Sequence, residues 1–392
     1  MEEKKTAIEN TADDFPLLPH GEDCCGCGAC SQACPHSCIS MRADKEGFLY
    51  PETDTSSCVR CGLCMNACPS LNSATERKPQ ETFAAVNKSN DVRDASSSGG
   101  FFTLMAEDVI RKGGIVFGAV FNDDWQVVHG SAETMEQLKA MRGSKYVQSD
   151  TGKVYRSIRA ALRSGRKVLF TGTPCQVAGL KRFLGRDYDL LLTADVICHG
   201  VPSPRVWKAY LEKNLSVARR RNPFAAWKYR KKPMRQIRNI EFRNKCKGWL
   251  DYHFRMQTAG GRILGKRIDE LHRENDYMKL FLNNVCLRPS CYKCLARCGK
   301  SHSDLTMADF WNVQLVTEGF SDNRGTSLVL CNTQKGIDAF AQLECVKKEV
   351  SFDDAIQYNK AWMQIYEPHA DRDDFFRDLE AGVDVFEKYA KR

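Results

Sequence analysis

Two cysteine runs dominate the first seventy residues. Cys24-x2-Cys27-x2-Cys30-x3-Cys34-Pro35 is followed by Cys58-x2-Cys61-x2-Cys64-x3-Cys68-Pro69. In the two-cluster arrangement with this spacing, three close thiolates grip one 4Fe-4S cube, and the fourth, before the proline, crosses to the other. The pattern therefore pairs Cys24, Cys27, Cys30 and Cys68 on one cluster, and Cys58, Cys61, Cys64 and Cys34 on the second. Zinc also takes CxxC pairs, but it does not account for two complete runs. Cys25 and Cys38 fall outside the pattern and read as packing residues or spares. Cubes of this kind move single electrons and do no bond chemistry, so the rest of the chain must receive what they carry.

Four further cysteines have a spacing that suits a third centre. Cys175, in "TGTPCQVAGL", follows the apolar run Val168-Leu169-Phe170, and Cys198, in "VICHGVPSP", follows a second predicted strand. In open α/β sheets the carboxyl ends of strands converge on one crevice, where ligands bind. Cys291 and Cys294, the CxxC of "RPSCYKCLARC", would complete four ligands for a third cluster. Other assignments stand beside this one at this stage. Cys286-x4-Cys291-x2-Cys294 has plant-type 2Fe-2S spacing with a remote fourth ligand, Cys298 is able to replace either strand-end thiol, and isolated cysteines often serve as inert apolar filler. Cys246, Cys331 and Cys345 have no evident partner.

Outside the cysteines, "ASSSGG" (95–100) precedes a helix predicted to start near Phe101. There the positive helix end and free N–H groups favour a pyrophosphate. Gly99 and Gly100 would let it approach the backbone, and Ser97 and Ser98 would add hydroxyl donors; an ordinary serine cap is the plainer reading. The usual GxGxxG fingerprint is missing. In "GSKYVQS", Lys145 suits phosphate charge and Tyr146 suits ring stacking. Asp309, after a predicted strand, suits a hydroxyl of a bound cofactor or a local cap. His199, beside Cys198, is the best placed group for proton delivery because its ordinary pKa lies near neutrality, although a structural histidine is the commoner case. The stretch 219–238 has nine basic residues, no acidic one and interleaved aromatics. It reads as a solvated hairpin or loop, or as a docking face for an acidic electron carrier or an anionic substrate acting on association rate; no nucleic-acid motif accompanies it.

The elements that must position these groups fall into two units. Residues 1–22 are charged and lack an apolar stretch, so a disordered tail and no secretory leader are expected. Residues 23–75 hold ten cysteines and form a small two-cluster domain, 76–82 continue a polar linker, and 83–392 form a larger domain. In that domain "FFTLMAEDVIRKGG" and "TGKVYRSIRAALRSG" read as helices, and "IVFGAVF", "KVLFTG" and "LLLTADVI" as strands. This alternation predicts an α/β unit with a largely parallel core inside a mixed sheet. Between 237 and 266, "IRNIEFR", "DYHFRMQT", "AGG" and "RILGK" read as antiparallel strands with a hairpin, and 353–392 as polar helices with aromatic anchors. The class is α+β overall. Nineteen cysteines in 392 residues point to metal ligation in a reducing cytoplasm rather than disulfides. No run approaches the roughly 20 apolar residues of a membrane span. The formal charge of +9 is a weak clue, because each four-thiolate cluster contributes about −2.

The chain resembles the beta-subunit family of coenzyme F420 hydrogenase/dehydrogenase, whose relatives include the plant reductase of 7-hydroxymethyl chlorophyll a. The resemblance runs from Phe83 to about residue 335, through "SSSGGFFTLMAEDVIRKGGIVFGAVF", "MRGSKYVQS", "TGTPCQVAGL", "ICHGVPSP", "LRPSCYKC" and "SDLTMADFW". It implies FAD and one 4Fe-4S cluster in the large domain, with ligands in the motifs that contain Cys175, Cys198, Cys291 and Cys294. With the N-terminal pair, three 4Fe-4S clusters and FAD are expected. The expected activity is an iron–sulfur flavoprotein oxidoreductase that takes electrons from ferredoxin or another carrier and reduces a small organic substrate, or exchanges electrons with F420. The alternative is a non-catalytic electron-transfer subunit of a larger complex. A homo-oligomer or a partner subunit is compatible with either.

Overall fold

The computed structural model describes residues 15–260 and 265–391. Most of the expected tail and part of the "AGG" to "RILGK" hairpin lie outside them.

The doubled cysteine pattern folds into two matching turns. Gly28 and Gly62 adopt left-handed backbone, φ 72 and 71°, just before the short helices α1 (Ala29–Ala33) and α2 (Leu63–Asn66); a side chain at either position would be strained. Between them β1 (Ile39–Ala43) and β2 (Leu49–Thr53) pair antiparallel. Cys30, Cys34, Cys38, Ile39 and Cys64 make a small core for this unit.

The rest is organised by an eight-stranded mixed sheet. Its strands are β3 (Glu81–Asn87), β4 (Ile115–Phe121), β5 (Val127–Ala132), β6 (Val168–Gly172), β7 (Leu191–Val196), β11 (Leu305–Asp309), β12 (Ser327–Cys331) and β13 (Cys345–Glu349). They lie in the order β13-β3-β12-β11-β7-β6-β4-β5. Only β4, β6, β7 and β11 run parallel to their neighbours, whereas β5, β12, β3 and β13 add antiparallel edges. The parallel core is therefore narrower than the helix–strand alternation predicts. Strands β8 (Ile237–Asn244), β9 (His253–Thr258) and β10 (Arg267–Leu271) build a separate antiparallel sheet in the order β10-β9-β8.

Helices cover the sheet: α3 (Asn90–Asp94), α4 (Phe101–Arg111), α5 (Met135–Leu138), α6 (Val154–Arg163) and α7 (Pro174–Leu184). In α6, Tyr155, Ile158 and Leu162 are buried, the helical spacing that packs one face inward. α7 starts sharply because Thr173 and Gln176 form a reciprocal capping box with Pro174 at the first turn, and it stops at Gly185 with φ 69°. α8 (Pro204–Arg221) begins at Ser203, whose hydroxyl caps Arg205 and Val206, and α9 (Pro223–Lys228) follows. The basic stretch thus runs from the end of α8 through α9, a loop and the short 3-10 turn Pro233–Gln236 into β8, and is not a hairpin; Phe224 and Trp227 on α9 are exposed. Trp207 and Tyr210 of α8 pack with Phe242 and Phe254 of the smaller sheet and with Phe375, Phe376 and Phe386 of the C-terminal helices.

The N-terminal unit does not hang from its linker. Cys27, Ala29 and Ala67 share one core with Tyr155, Phe170, Val177 and Leu180. The Thr151 hydroxyl donates to the Cys27 carbonyl at 2.9 Å, and Arg156 donates to the carbonyls of Gln32 and Cys34, both at 2.7 Å. The polar segment after Cys68 is pinned as well: Arg182 donates to the Asn72 carbonyl at 2.6 Å, and Arg77 to that of Ser303 at 2.5 Å. Among the described residues, no helix is long and apolar enough to cross a membrane.

Candidate metal centres and cofactor site

Because β6, β7 and β11 run parallel, their carboxyl ends lie along one side of the sheet. Cys175 stands in the first turn of α7, three residues beyond β6, and Cys198 two residues beyond β7. Both line a cavity of about 580 Å³ together with Cys291 and Cys294, and its rim carries Lys181, Arg182, Arg186, Lys293, Arg297 and Lys300 against Glu22, Asp23 and Asp187. The Thr173 hydroxyl lies 3.2 Å from the Cys175 sulfur, and the Val201 N–H donates to Cys291 Sγ at 3.4 Å. Backbone and hydroxyl donors of this kind are what a thiolate needs. Gly200 admits Cys291 so closely that a Cβ there would meet Leu287 at 2.7 Å and the Cys291 Cβ at 3.4 Å.

Burial, reinforced by neighbouring cysteines, pushes Cys198 up to about 12 and Cys291 up to about 11. These groups are protonated at neutral pH until a metal displaces the proton. Four convergent soft donors under a basic rim fit an anionic iron–sulfur centre. Cys286 is fully buried in the hydrophobic core beside Leu280 and Leu287. The Cys298 thiol donates to the Trp362 carbonyl at 3.5 Å. Neither lines the cavity.

A fifth sulfur does. Cys25, which falls outside the spacing pattern, forms part of the same cavity wall as Cys175, and its carbonyl accepts from Gln148 Nε2 at 3.2 Å. In the N-terminal unit, Cys24, Cys30 and Cys68 interact with one another, and burial raises Cys24 to about 11 and Cys30 to about 12. The other group, Cys34, Cys58, Cys61 and Cys64, lines a second small cavity together with Cys38, whose sulfur lies 3.2 Å from that of Cys34. Of the two residues read as packing residues or spares from spacing, Cys38 thus stands against the sulfur of Cys34, and Cys25 shares a cavity with Cys175.

The two regions are clamped by Arg288, which no spacing rule singles out. It is fully buried and donates to the carbonyls of Cys24 at 2.7 Å and Leu49 at 3.0 Å, and to Gln148 Oε1 at 2.9 Å. Its guanidinium lies 4.3 Å from the Tyr50 ring centroid. Three residues later comes Cys291.

The residues expected to hold a flavin gather near the same end of the sheet. Asp309 ends β11 opposite Ser327, the first residue of β12; it is the last residue of its strand rather than a group beyond it. Gly99 packs so tightly here that a Cβ would meet Ala85 O at 2.6 Å and Ser327 N at 2.7 Å. The sheet alone therefore demands glycine at this position. Gly100 has φ 84°, and no side chain caps α4. The Ser98 hydroxyl donates to Thr326 O at 2.8 Å, and Ser97 Oγ accepts from the Ser144 N–H at 2.7 Å. Lys145 Nζ holds the carbonyls of Arg142 and Gly143, both at 3.2 Å, and burial lowers it to about 8. The Tyr146 ring stacks on Phe281 at 4.8 Å, and His199 meets the same ring edge-on at 5.1 Å. His199 Nε2 lies 2.7 Å from Asn284 Oδ1, and burial lowers its pKa. The Phe281 ring thus links the expected flavin neighbourhood to the residue beside Cys198.

Arg243 and the paired indoles were not legible as site residues. Arg243 ion-pairs with Asp309, lies 4.4 Å from the Tyr252 ring centroid, and keeps Nε and one terminal nitrogen buried without a partner. Trp249 donates to Asp309 at 3.2 Å and stacks on Trp311 at 4.7 Å, 11° from parallel. Orphaned guanidinium donors beside stacked rings fit an anionic aromatic cofactor. Of the unassigned cysteines, Cys331 is buried in the main core, Cys345 opens β13, and Cys246 lies beside His253 and Asp269.

Residues 165–352 match the family model for the C terminus of the coenzyme F420 hydrogenase/dehydrogenase beta subunit, and residues 23–72 match that of the 4Fe-4S dicluster domain. No curated protein matches the chain. Among solved structures, a chain of the F420-reducing [NiFe] hydrogenase complex from Methanosarcina barkeri, determined with xenon derivatization, is similar. The TM-score is 0.45 at 16% identity, covering 80% of this chain and 91% of that one.

Proposed function

We propose that this chain, which joins a 4Fe-4S dicluster domain to a domain of the F420 hydrogenase/dehydrogenase beta-subunit family, is an FAD-dependent oxidoreductase fed through three 4Fe-4S clusters. It is an iron–sulfur electron-transfer protein related to that beta subunit. The finer reading rests on one observation: the thiols of Cys175, Cys198, Cys291 and Cys294 line a single cavity against the N-terminal cluster loop. In this reading residues 23–75 receive electrons and 83–392 deliver them, across a linker at 76–82.

When bound, the clusters carry single electrons, and the flavin pairs two of them for reduction of an organic substrate or exchange with a deazaflavin such as F420. The protein's part is to hold and insulate. Arg243, with its unpaired donors, and Lys145 would supply positive charge to an anionic cofactor; Ser97, Ser98, Gly99 and Gly100 would allow close backbone approach; Tyr146 would lie beside its ring system; and Asp309 fixes Arg243 in place. His199, whose pKa burial lowers, would serve proton transfer beside Cys198. The basic face around Phe224 and Trp227 suits an acidic carrier, whose association would weaken with salt.

The test is anaerobic purification followed by iron and flavin analysis and stopped-flow reduction with F420, NADH and reduced ferredoxin in turn. About twelve irons per chain, with a stoichiometric flavin reduced by one of these donors, supports the reading. A chain that holds no flavin, or flavin that no donor reduces, overturns it.

A further inference from the structure

We propose that Cys246, His253 and Asp269 form a binding site for a thiophilic divalent cation, zinc or a close first-row neighbour, at one end of the smaller antiparallel sheet. None of the three is assigned above to a cluster or to the flavin, so the site stands or falls apart from that reading.

Three adjacent strands bring the ligands together. Cys246 lies two residues beyond β8, whose last residue, Asn244, pairs with His253, the first residue of β9. On the other side His253 pairs with Leu271 of β10, and Arg255 with Asp269. Residues two apart share a face of a strand, so His253 and Asp269 meet diagonally across the β9–β10 ladder. One sulfur, one ring nitrogen and one carboxylate oxygen thus lie within 4.8 Å of one another. The Cys246 thiol is exposed.

Donors of these three kinds suit zinc and its neighbours, and not magnesium or calcium, which take oxygen. His253 Nδ1 and Asp269 Oδ1 are 2.9 Å apart. Two light ligands with bonds of about 2.0 Å to a tetrahedral zinc stand about 3.3 Å apart, so the cation replaces the hydrogen between them after a small separation. A side-chain rotation of Cys246 brings in the sulfur, and water takes the fourth position. Two arginines also hold Asp269: Arg255 Nε donates to Oδ1 at 3.0 Å, and Arg267 donates to Oδ2 at 2.8 Å. Both are partly exposed. Thiolate and carboxylate together cancel a divalent charge, so the arginines face a neutral centre. Arg255 turns to water as the metal takes Oδ1, and Arg267 stays as the outer partner that orients a ligating carboxylate. The turn between Cys246 and His253 carries Trp249 and Tyr252, whose side chains contact Asp309 and Arg243. A bound cation fastens both ends of that turn to β10.

The experiment uses the full chain, prepared anaerobically, as wild type, Cys246→Ser and His253→Gln, with zinc and magnesium as probes. Alkylation of Cys246 is followed by peptide mass spectrometry. At a zinc concentration about ten times the dissociation constant the free thiol falls about tenfold, and alkylation of the wild type should slow by that factor, with magnesium inactive. His253→Gln keeps a hydrogen bond to Asp269 but offers no ring nitrogen, so protection should be lost. Zinc uptake, measured by competition with a chromophoric chelator, should be lower by about one ion per chain in Cys246→Ser. Alkylation indifferent to zinc, equal protection by magnesium, or protection that survives in His253→Gln reduces Cys246 to an ordinary surface thiol and overturns the site. Iron content should be equal in all three proteins; iron lost from either variant would make these residues part of a cluster and overturn the proposal as well.

Discussion

Arg288 offers the sharpest test of how the two units are joined. Replacing it with Met keeps the aliphatic stem and removes the guanidinium. Three hydrogen bonds from a charged donor disappear, to Cys24 O, Leu49 O and Gln148 Oε1, at about 1.5–3 kcal/mol each. The contact over Tyr50 at 4.3 Å is lost as well, worth about 0.5–2 kcal/mol. Against this, those three acceptors are neutral, so relief of the cation's desolvation returns several kcal/mol. A net loss of about 3 kcal/mol in local docking follows. At 1.36 kcal/mol per decade, amides in segment 24–34 should exchange hydrogen about a hundredfold faster, read by mass spectrometry on the anaerobic protein. Arg288→Lys should fall between, because an ammonium keeps the charge but cannot span three acceptors in a fork. An acceleration below about threefold in Arg288→Met would refute the clamp.

Three further outcomes are expected. Cys175→Ser should lose about four of about twelve irons while the N-terminal spectra persist; an unchanged iron content would reject the third-site assignment. Gly179→Ala places a Cβ 2.8 Å from Cys27 Sγ, so overpacking of about 1–3 kcal/mol should exceed the helix gain of about 1 kcal/mol. Its melting temperature should fall and the first cluster's resonance should shift at constant iron, and an unaltered resonance would contradict the seating of Cys27 on α7. Asp195, buried and bonded by Ser301 and Thr306 at 2.5 Å each, is raised by burial from 3.8 to about 6. Its contribution to stability is fully present below pH 3.8 and is lost as pH rises through 6. Asp195→Asn should therefore match wild type near pH 4 and be more stable at pH 7.5 by up to about 3 kcal/mol, as melting curves would report; equal melting at both pH values would contradict it.

The parts of this molecule legible in sequence are those encoded over short distances. The two C-x2-C-x2-C-x3-C-P runs specify their turns because each needs a left-handed glycine, Gly28 or Gly62, before a four- or five-residue helix. The alternation from Phe101 to Val196 is equally local and matches α4, β4, α6, β6 and β7 closely. The antiparallel edge is not local: β3 pairs with β12 and β13, more than two hundred residues later, and no periodicity announces which distant strand will lie beside it. Arg288 and Arg243 were missed for a related reason. A single arginine in a strand or beside a proline looks like surface charge until tertiary packing encloses it. Gly99 carried the opposite hazard, because its glycine is required by Ala85 and Ser327 whether or not a phosphate binds there. The basic stretch, read as a hairpin or loop, is part helix and part loop, because its first half prefers helix, with Pro223 opening α9 at the first-turn position where proline is tolerated.

Helix α7 has Cys175 in its first turn and Gly179 one turn later, and Cys27 seats directly on that glycine. One rigid rod of a single turn therefore spaces a thiol of the large domain from a thiol of the small one. Grafting an unrelated electron-donor module onto the large half would leave the rod with nothing shaped to meet it, however well the graft carried its own iron. The two halves are better regarded as a matched plug and socket than as interchangeable beads, and chimeras should conduct only when the 24–34 loop travels with the helix it fits.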